Sequence, residues 1–315
     1  MNRRDFLVSG LLLPFALKSG ISWAQVAYSP VDNVVKASFS DDPENPKGTL
    51  WQIPRQQPAQ MMGYVYRADS GETVVFDGGW DKEAPYLVDL IKRECGGKVD
   101  AWFLTHAHYD HCGAIAEILT NRPDELEVKN VYYNFPEYEW CFDLEKSRYT
   151  KLIYDGLARC KEGVARAPKV GEVFKFGSTT IKTLNDFDLS LTMNPINNSS
   201  ICFRIDVAGK SILILGDLGV QAGERLIKLC GTKELDCDFV QMAHHGQQGV
   251  SREFYEVVKP SVCLWPTPDW LWENNAGGKG PNSGPWKTLE TRAWIEEMKI
   301  EKSFVSKDGL AILTF

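Results

Sequence analysis

Three of the chain's five histidines fall within six residues, in Thr105-His106-Ala107-His108-Tyr109-Asp110-His111, and the other two are the neighbours His244 and His245. Histidines placed for packing or solubility do not cluster this way, whereas neutral imidazole and carboxylate are the donors that suit zinc, manganese or iron. Residues 101–104, just before the cluster, read as a short buried strand, and a helix is expected from about residue 113 to 119. A loop held between strand and helix lets His106 and His108 point one way while Asp110 and His111 turn toward a second position. One short segment then supplies ligands to two adjacent ions. Asp217 and His244 each directly follow an apolar run that reads as a buried strand, at the rim where sites form in layered α/β folds.

The rest of the chain supplies a scaffold for that rim. Residues 61–67 and 73–76 read as two strands, followed by Asp77-Gly78-Gly79 and helical spacing over 84–95. A strand at 128–133 precedes one long helical stretch from about 137 to 162. Hairpins are expected at 172–176 with 179–184 and at 201–207 with 211–215, each around a glycine turn. Helices near 221–230, 252–258 and 286–298 alternate with strands at 239–242, 261–265, 303–306 and 310–315. Residues 25–60 read as irregular. Hairpins in both halves and helices following strands suit a four-layer α/β/β/α sandwich better than one parallel sheet. No repeat or low-complexity linker separates domains within 25–315.

Residues 1–24 are set apart as an export signal of the twin-arginine type: Arg3 and Arg4, a short apolar run broken by Pro14, and small residues at Ser22 and Ala24. The run is too short for a comfortable membrane span, so no stable anchor is expected and the protein is placed in the periplasm or outside the cell. Net charge is −7, and removal of residues 1–24 leaves −9. Charge therefore gives no support to a nucleic-acid partner, which needs clustered Lys and Arg. The eight cysteines are scattered without a Cys-x-x-Cys pair and imply no disulfide framework.

His106-x-His108-x-Asp110-His111 resembles the signature of the metallo-β-lactamase superfamily. That resemblance implies two divalent metal ions, zinc or manganese, with Asp217 bridging them and His244, rather than His245, as the last ligand. It further implies hydrolysis by a metal-activated hydroxide, with Asp110 orienting or deprotonating the nucleophile and His245 donating to the leaving group or binding phosphate. Most members place another histidine between the signature and the bridging aspartate. Here that stretch reads Asn194-Pro195-Ile196-Asn197-Asn198-Ser199-Ser200, with no histidine at all. In this and in its His-His-Gly segment the chain is similar to the corresponding domain of bacterial DNA-uptake competence proteins. Asn197 or Asn198 would then replace the missing imidazole, and a harder oxygen donor would favour manganese. The expected activity is hydrolysis of a phosphodiester or related ester; a lactonase, thioesterase or β-lactamase, or a non-catalytic metal- or partner-binding protein, are the alternatives. The tryptophans at 265, 270, 272 and 286 would either wall a ligand site or cover a core edge.

Overall fold

The architecture comes from a computed structural model that describes residues 33–300 and 302–315. The export signal expected at 1–24 lies outside the described residues. The first half of the chain builds one sheet: β1 (Val34–Ser38), β2 (Gly48–Gln52), β3 (Gly63–Ala68), β4 (Thr73–Asp77), β6 (Ala101–Phe103), β8 (Val131–Tyr132) and β9 (Ala165–Arg166), joined by the C-terminal β17 (Leu310–Thr314). Its strand order is β1-β17-β2-β3-β4-β6-β8-β9, and β5 (Lys98–Val99) pairs with β7 (Glu127–Val128) in a separate ribbon. The second half builds a seven-stranded sheet in sequence order: β10 (Val173–Phe176), β11 (Thr179–Thr183), β12 (Phe203–Val207), β13 (Lys210–Ile214), β14 (Phe239–Gln241), β15 (Val262–Trp265) and β16 (Lys302–Val305).

Alternation along the strands explains the layering. In β3, Tyr64 and Tyr66 turn inward with Phe76 of β4 and Phe103 of β6, and meet Phe203, Ile205, Ile212 and Phe239 of the other sheet. Val65, Val75 and Trp102, one residue out of phase, face away and bury α1 (Ala84–Cys95) through Leu87 and Ile91 and α2 (Tyr109–Asn121) through Ile115 and Ile118. Leu213, Val240 and Cys263 play the same part on the second sheet, packing Leu226 of α5 (Val220–Leu235) and Phe254 of α6 (Arg252–Val258). The result is the four-layer α/β/β/α sandwich expected from the pattern. Among the described residues, no helix is long and apolar enough to cross a membrane.

Three local expectations change. β1 and β2 fill part of the segment read as irregular; β1 is exposed along most of its length, so its sequence shows no buried face. The long helix expected at 137–162 is two, α3 (Tyr138–Glu145) and α4 (Arg148–Leu157), because Lys146 enters the left-handed region at φ 50° and Ser147 caps α4 by accepting from Tyr149 N. And α2 begins at Tyr109, four residues earlier than expected, so Asp110 and His111 sit in its first turn rather than in a loop. The remaining helices are α7 (Asp269–Trp272) and α8 (Thr288–Glu297).

Candidate metal centre

The site forms where β6, β13 and β14 end. Strand β6 delivers the 106–111 segment, β13 runs into Gly216-Asp217, and β14 into His244-His245-Gly246. Gly216 adopts φ 59°, and a Cβ there would lie 2.7 Å from Thr105 Cβ, so only glycine lets the two strand ends approach. Gly246 is similarly required: at φ 75°, its Cβ would meet the Trp265 ring at 2.4 Å.

Buried Asp217 is the hub. Its Oδ1 lies 3.1 Å from His111 Nε2. Its Oδ2 lies 3.4 Å from His245 Nε2, 3.8 Å from His244 Nε2 and 3.9 Å from His106 Nε2. His108 Nδ1 is 3.0 Å from His106 Nε2, and Asp110 Oδ2 is 3.2 Å from His245 Nε2. Two groups of donor atoms result, each compact enough to hold an ion: His106, His108 and Asp217 at a first position, and Asp110, His111 and His245 at a second.

The outer nitrogens of all five rings are tied to acceptors away from Asp217. His106 Nδ1 lies 3.0 Å from Thr105 Oγ1, which itself donates to Asp77, and His111 Nδ1 lies 2.7 Å from Asp77 Oδ2. His108 Nε2 pairs with Glu145 at 2.7 Å, His244 Nδ1 with the Gln248 carbonyl at 3.2 Å, and His245 Nδ1 with the Pro266 carbonyl at 3.1 Å. Each outer nitrogen therefore carries a proton to donate, which sets the tautomer and turns the inner nitrogen toward the centre. Buried there without hydrogen-bond partners are His111 Nε2, His245 Nε2, Asp217 Oδ1 and Asn197 Oδ1. Orphaned, converging acceptors of this kind are costly in a folded protein unless a cation satisfies them. The residues present fit a pair of divalent ions.

Electrostatics agree. Burial raises the carboxyls of Asp217 and Asp110, yet the surrounding imidazoles outweigh it and hold both below the usual carboxylate range. Burial lowers His245, but Asp217 and Asp110 push it up to about 9. His111 likewise stays high through Asp217 and Asp77 despite its burial, whereas burial and the neighbouring rings drive His106 well down. Without a cation, protons collect on the imidazoles beside the carboxylates; metal binding would release them.

Five of the six residues proposed from the sequence as ligands, His106, His108, Asp110, His111 and Asp217, fall in these two groups, and the remaining member is His245. His245, expected to serve the leaving group, is the ring beside Asp110 and His111, while His244, the expected ligand, faces Asn197, whose Nδ2 lies 3.1 Å from its Nε2. Strand alternation would send only one of two neighbours inward. Both instead take left-handed backbone, φ 51° and 54°, so both rings reach the centre. Of the two asparagines proposed to stand in for the missing histidine, Asn198 is committed elsewhere: its Oδ1 accepts from Gly219 N and Ala222 N, each at 3.1 Å, and its amide donates to Met193 O. Only Asn197 has a free oxygen.

Sequence reasoning missed the residues that brace the ligands. Asp77 was noted only as a strand end, yet it accepts from Thr105 N at 2.8 Å as well as from His111. Gln60 donates to Asp110 Oδ2 at 3.1 Å, and Glu145 comes from the end of α3, far from any motif. Cys112 packs under the cluster, its Sγ 3.2 Å from His106 O. The tryptophans cover core edges: Trp265 packs on Trp272, and Trp270 on Trp286.

A two-sheet sandwich flanked by helices gathers imidazoles and carboxylates at its strand ends, where they could hold metal. The metallo-beta-lactamase superfamily model matches residues 61–264, and the chain belongs to that superfamily of metal-dependent hydrolases. Among solved structures it is similar to the metallo-beta-lactamase fold protein YhfI from Bacillus subtilis, with TM-score 0.50 and 13% identity over 81% of this chain and 95% of that one. It is also similar to CmlA, a diiron β-hydroxylase from Streptomyces venezuelae (TM-score 0.49, 13% identity, 87% of this chain and 55% of that one). The short form of human tRNase Z aligns with TM-score 0.41 and 16% identity over 69% of this chain and 90% of that one. No curated protein sequence matches the chain.

Proposed function

We propose that this protein is an exported hydrolase that uses two divalent ions, zinc or manganese, to cleave a phosphodiester or related ester. The observation that carries the reading is the inward wiring of five imidazoles around two buried carboxylates, which no packing role explains. His106, His108 and Asp217 would hold one ion, and Asp110, His111, His245 and Asp217 the other. Bound there, the pair would supply Lewis acidity and an acidified water at neutral pH. The chain's own part is to orient and to exclude. Asp110 holds its carboxylate between His245 and Gln60, and in this reading would orient the nucleophile or accept its proton. His245, its Nδ1 spent on Pro266, turns its Nε2 to the acids rather than to a leaving group.

Support for a phosphoester rests on the rim. Gln60, Gln247 and Asn197 bring neutral amides beside the cluster; Gln247 Nε2 donates to Gln60 Oε1 at 3.2 Å, and Asn197 lies apart from them against His244. Amide donors suit phosphoryl oxygens, and the missing intermediate histidine sets the chain apart from the usual lactonase and β-lactamase pattern. Hydrolysis of a bis-aryl phosphate with added manganese or zinc, against an Asp110→Ala control, tests this: metal-dependent turnover lost in the variant is expected. Turnover on lactone or lactam alone would overturn the substrate class, and none on any panel would favour a binding protein. Export is supported by Arg3-Arg4 and the apolar run behind them. Replacing both arginines by lysine should leave the protein in the cytoplasmic fraction of a bacterial host; unchanged periplasmic recovery would count against that route.

A further inference from the structure

We propose that the two adjacent histidines divide between the two metal positions: His245 completes the second, and His244 fills the place at the first that the missing intermediate histidine leaves open. The inference rests on the dimetal reading above. His244 is wired like the four other rings, its Nδ1 held by the Gln248 carbonyl at 3.2 Å, so its Nε2 carries the lone pair, which accepts from Asn197 Nδ2 at 3.1 Å until an ion takes that amide's place. That Nε2 and His106 Nε2 sit at nearly the same distance, 3.8 and 3.9 Å, from one oxygen of Asp217. His245 Nε2 instead lies 3.2 Å from Asp110 Oδ2.

The backbone supplies a reason for the division. Two consecutive non-glycine residues in left-handed conformation are each costly. A chain needing only one imidazole here would place it with ordinary strand geometry. The left-handed pair at φ 51° and 54° brings both rings to the centre, their centroids 6.2 Å apart. Strain of this kind concentrates where a site demands it.

Asn197 offers the competing donor, since its Oδ1 is buried and free. Its amide nitrogen, however, faces His244 Nε2 at 3.1 Å, a contact that an ion bound to that nitrogen would replace. An imidazole also outcompetes a neutral carboxamide oxygen for zinc. With His244 in place, the first position carries three imidazoles and Asp217. It would then prefer zinc, the opposite of the manganese preference that an oxygen replacement implies.

The test is a cobalt(II) titration of metal-stripped protein, read by bound-metal stoichiometry and by the visible d–d spectrum. Wild type is expected to bind two ions. His244→Ala and His245→Ala should each bind one, with different residual spectra, and Asn197→Ala should keep two. His244→Asn, which tolerates left-handed backbone, repeats the measurement should alanine disturb the turn. Unchanged stoichiometry and spectrum in both His244 variants would overturn the proposal, as would loss of an ion in Asn197→Ala but not in His244→Ala. Wild type binding no cobalt would remove the dimetal reading itself.

Discussion

The two metal positions share Asp217 but are built to different standards. At the second, His111 is braced by Asp77, a fully buried carboxylate at the end of β4 that also holds the Thr105 backbone. At the first, His108 is braced by Glu145, a residue at the end of a surface helix whose side chain is 32% exposed. One brace belongs to the sheet core. The other rides on α3, which reaches the site through a small cluster in which Cys141 packs against Ala107 and Ile196. Movement of α3 would be felt at His108 and at the asparagine segment, but not at His111. The second position is therefore expected to be preorganised and tight, and the first to be the one that exchanges its ion.

Removing what the positions share should have the largest effect. Asp217→Ala is expected to abolish binding of both ions and to lower hydrolysis by about 10³-fold or more, the several kcal/mol that metal ions contribute to such reactions. Activity and metal content measured together check it; loss of activity with both ions retained would break the hub assignment. Next comes Asp77→Asn. The amide oxygen can still accept from Thr105 N, but an NH₂ facing His111 Nδ1 forces the other tautomer and spoils Nε2 as a ligand. Affinity at the second position should fall by about 100-fold, with a smaller loss at the first through the Thr105 hydroxyl that links Asp77 to His106. Equal weakening of both would mean that the two sides are not separable.

How much of this was legible in the sequence follows from where each residue sits. The 106–111 segment could be read because ligands to both positions lie within one turn of chain. The sandwich could be read because the period-2 pattern of 61–76 and 201–215 is strong. The braces could not, since Asp77 and Glu145 lie 34 and 37 residues from the histidines they hold and carry no local signature. Nor does strand alternation foresee the left-handed turn that brings both His244 and His245 to the cluster. The break at Lys146 was hidden as well, because helical spacing continues on both sides of it. That break matters, since it ends α3 at Glu145.

The brace at the first position should give a smaller effect than that at the second. Glu145→Ala removes an acceptor that water can replace at an exposed site. About a tenfold loss in first-position affinity is expected, the low end for such partners, with turnover recovered by added metal. A hundredfold loss at the second position instead would invert the contrast between core and surface bracing.

The last expected effect is on stability rather than on metal affinity, and concerns the strap that carries Gln60 to Asp110. Buried Glu83 accepts from Gln56 N and from Gln57 Nε2, both at 3.1 Å, and so pins that strap. Burial pushes its carboxyl up from 4.5 to about 7. The folded state thus binds a proton more readily than the unfolded chain, so this group's contribution to stability is full below about pH 4.5 and is lost as pH rises through about 7. The shift corresponds to about 3 kcal/mol. Acidification also titrates other carboxylates, including the low-lying Asp110 and Asp217, so the difference between wild type and Glu83→Gln is the quantity to follow. Measured by denaturant unfolding of metal-free protein, the variant should gain on wild type by up to about 3 kcal/mol between pH 4.5 and pH 8. A pH-independent difference would show that Glu83 is ionised in the fold and that a cation, not a proton, balances it. The strap would then belong to the electrostatics of the site rather than to the neutral frame around its second position.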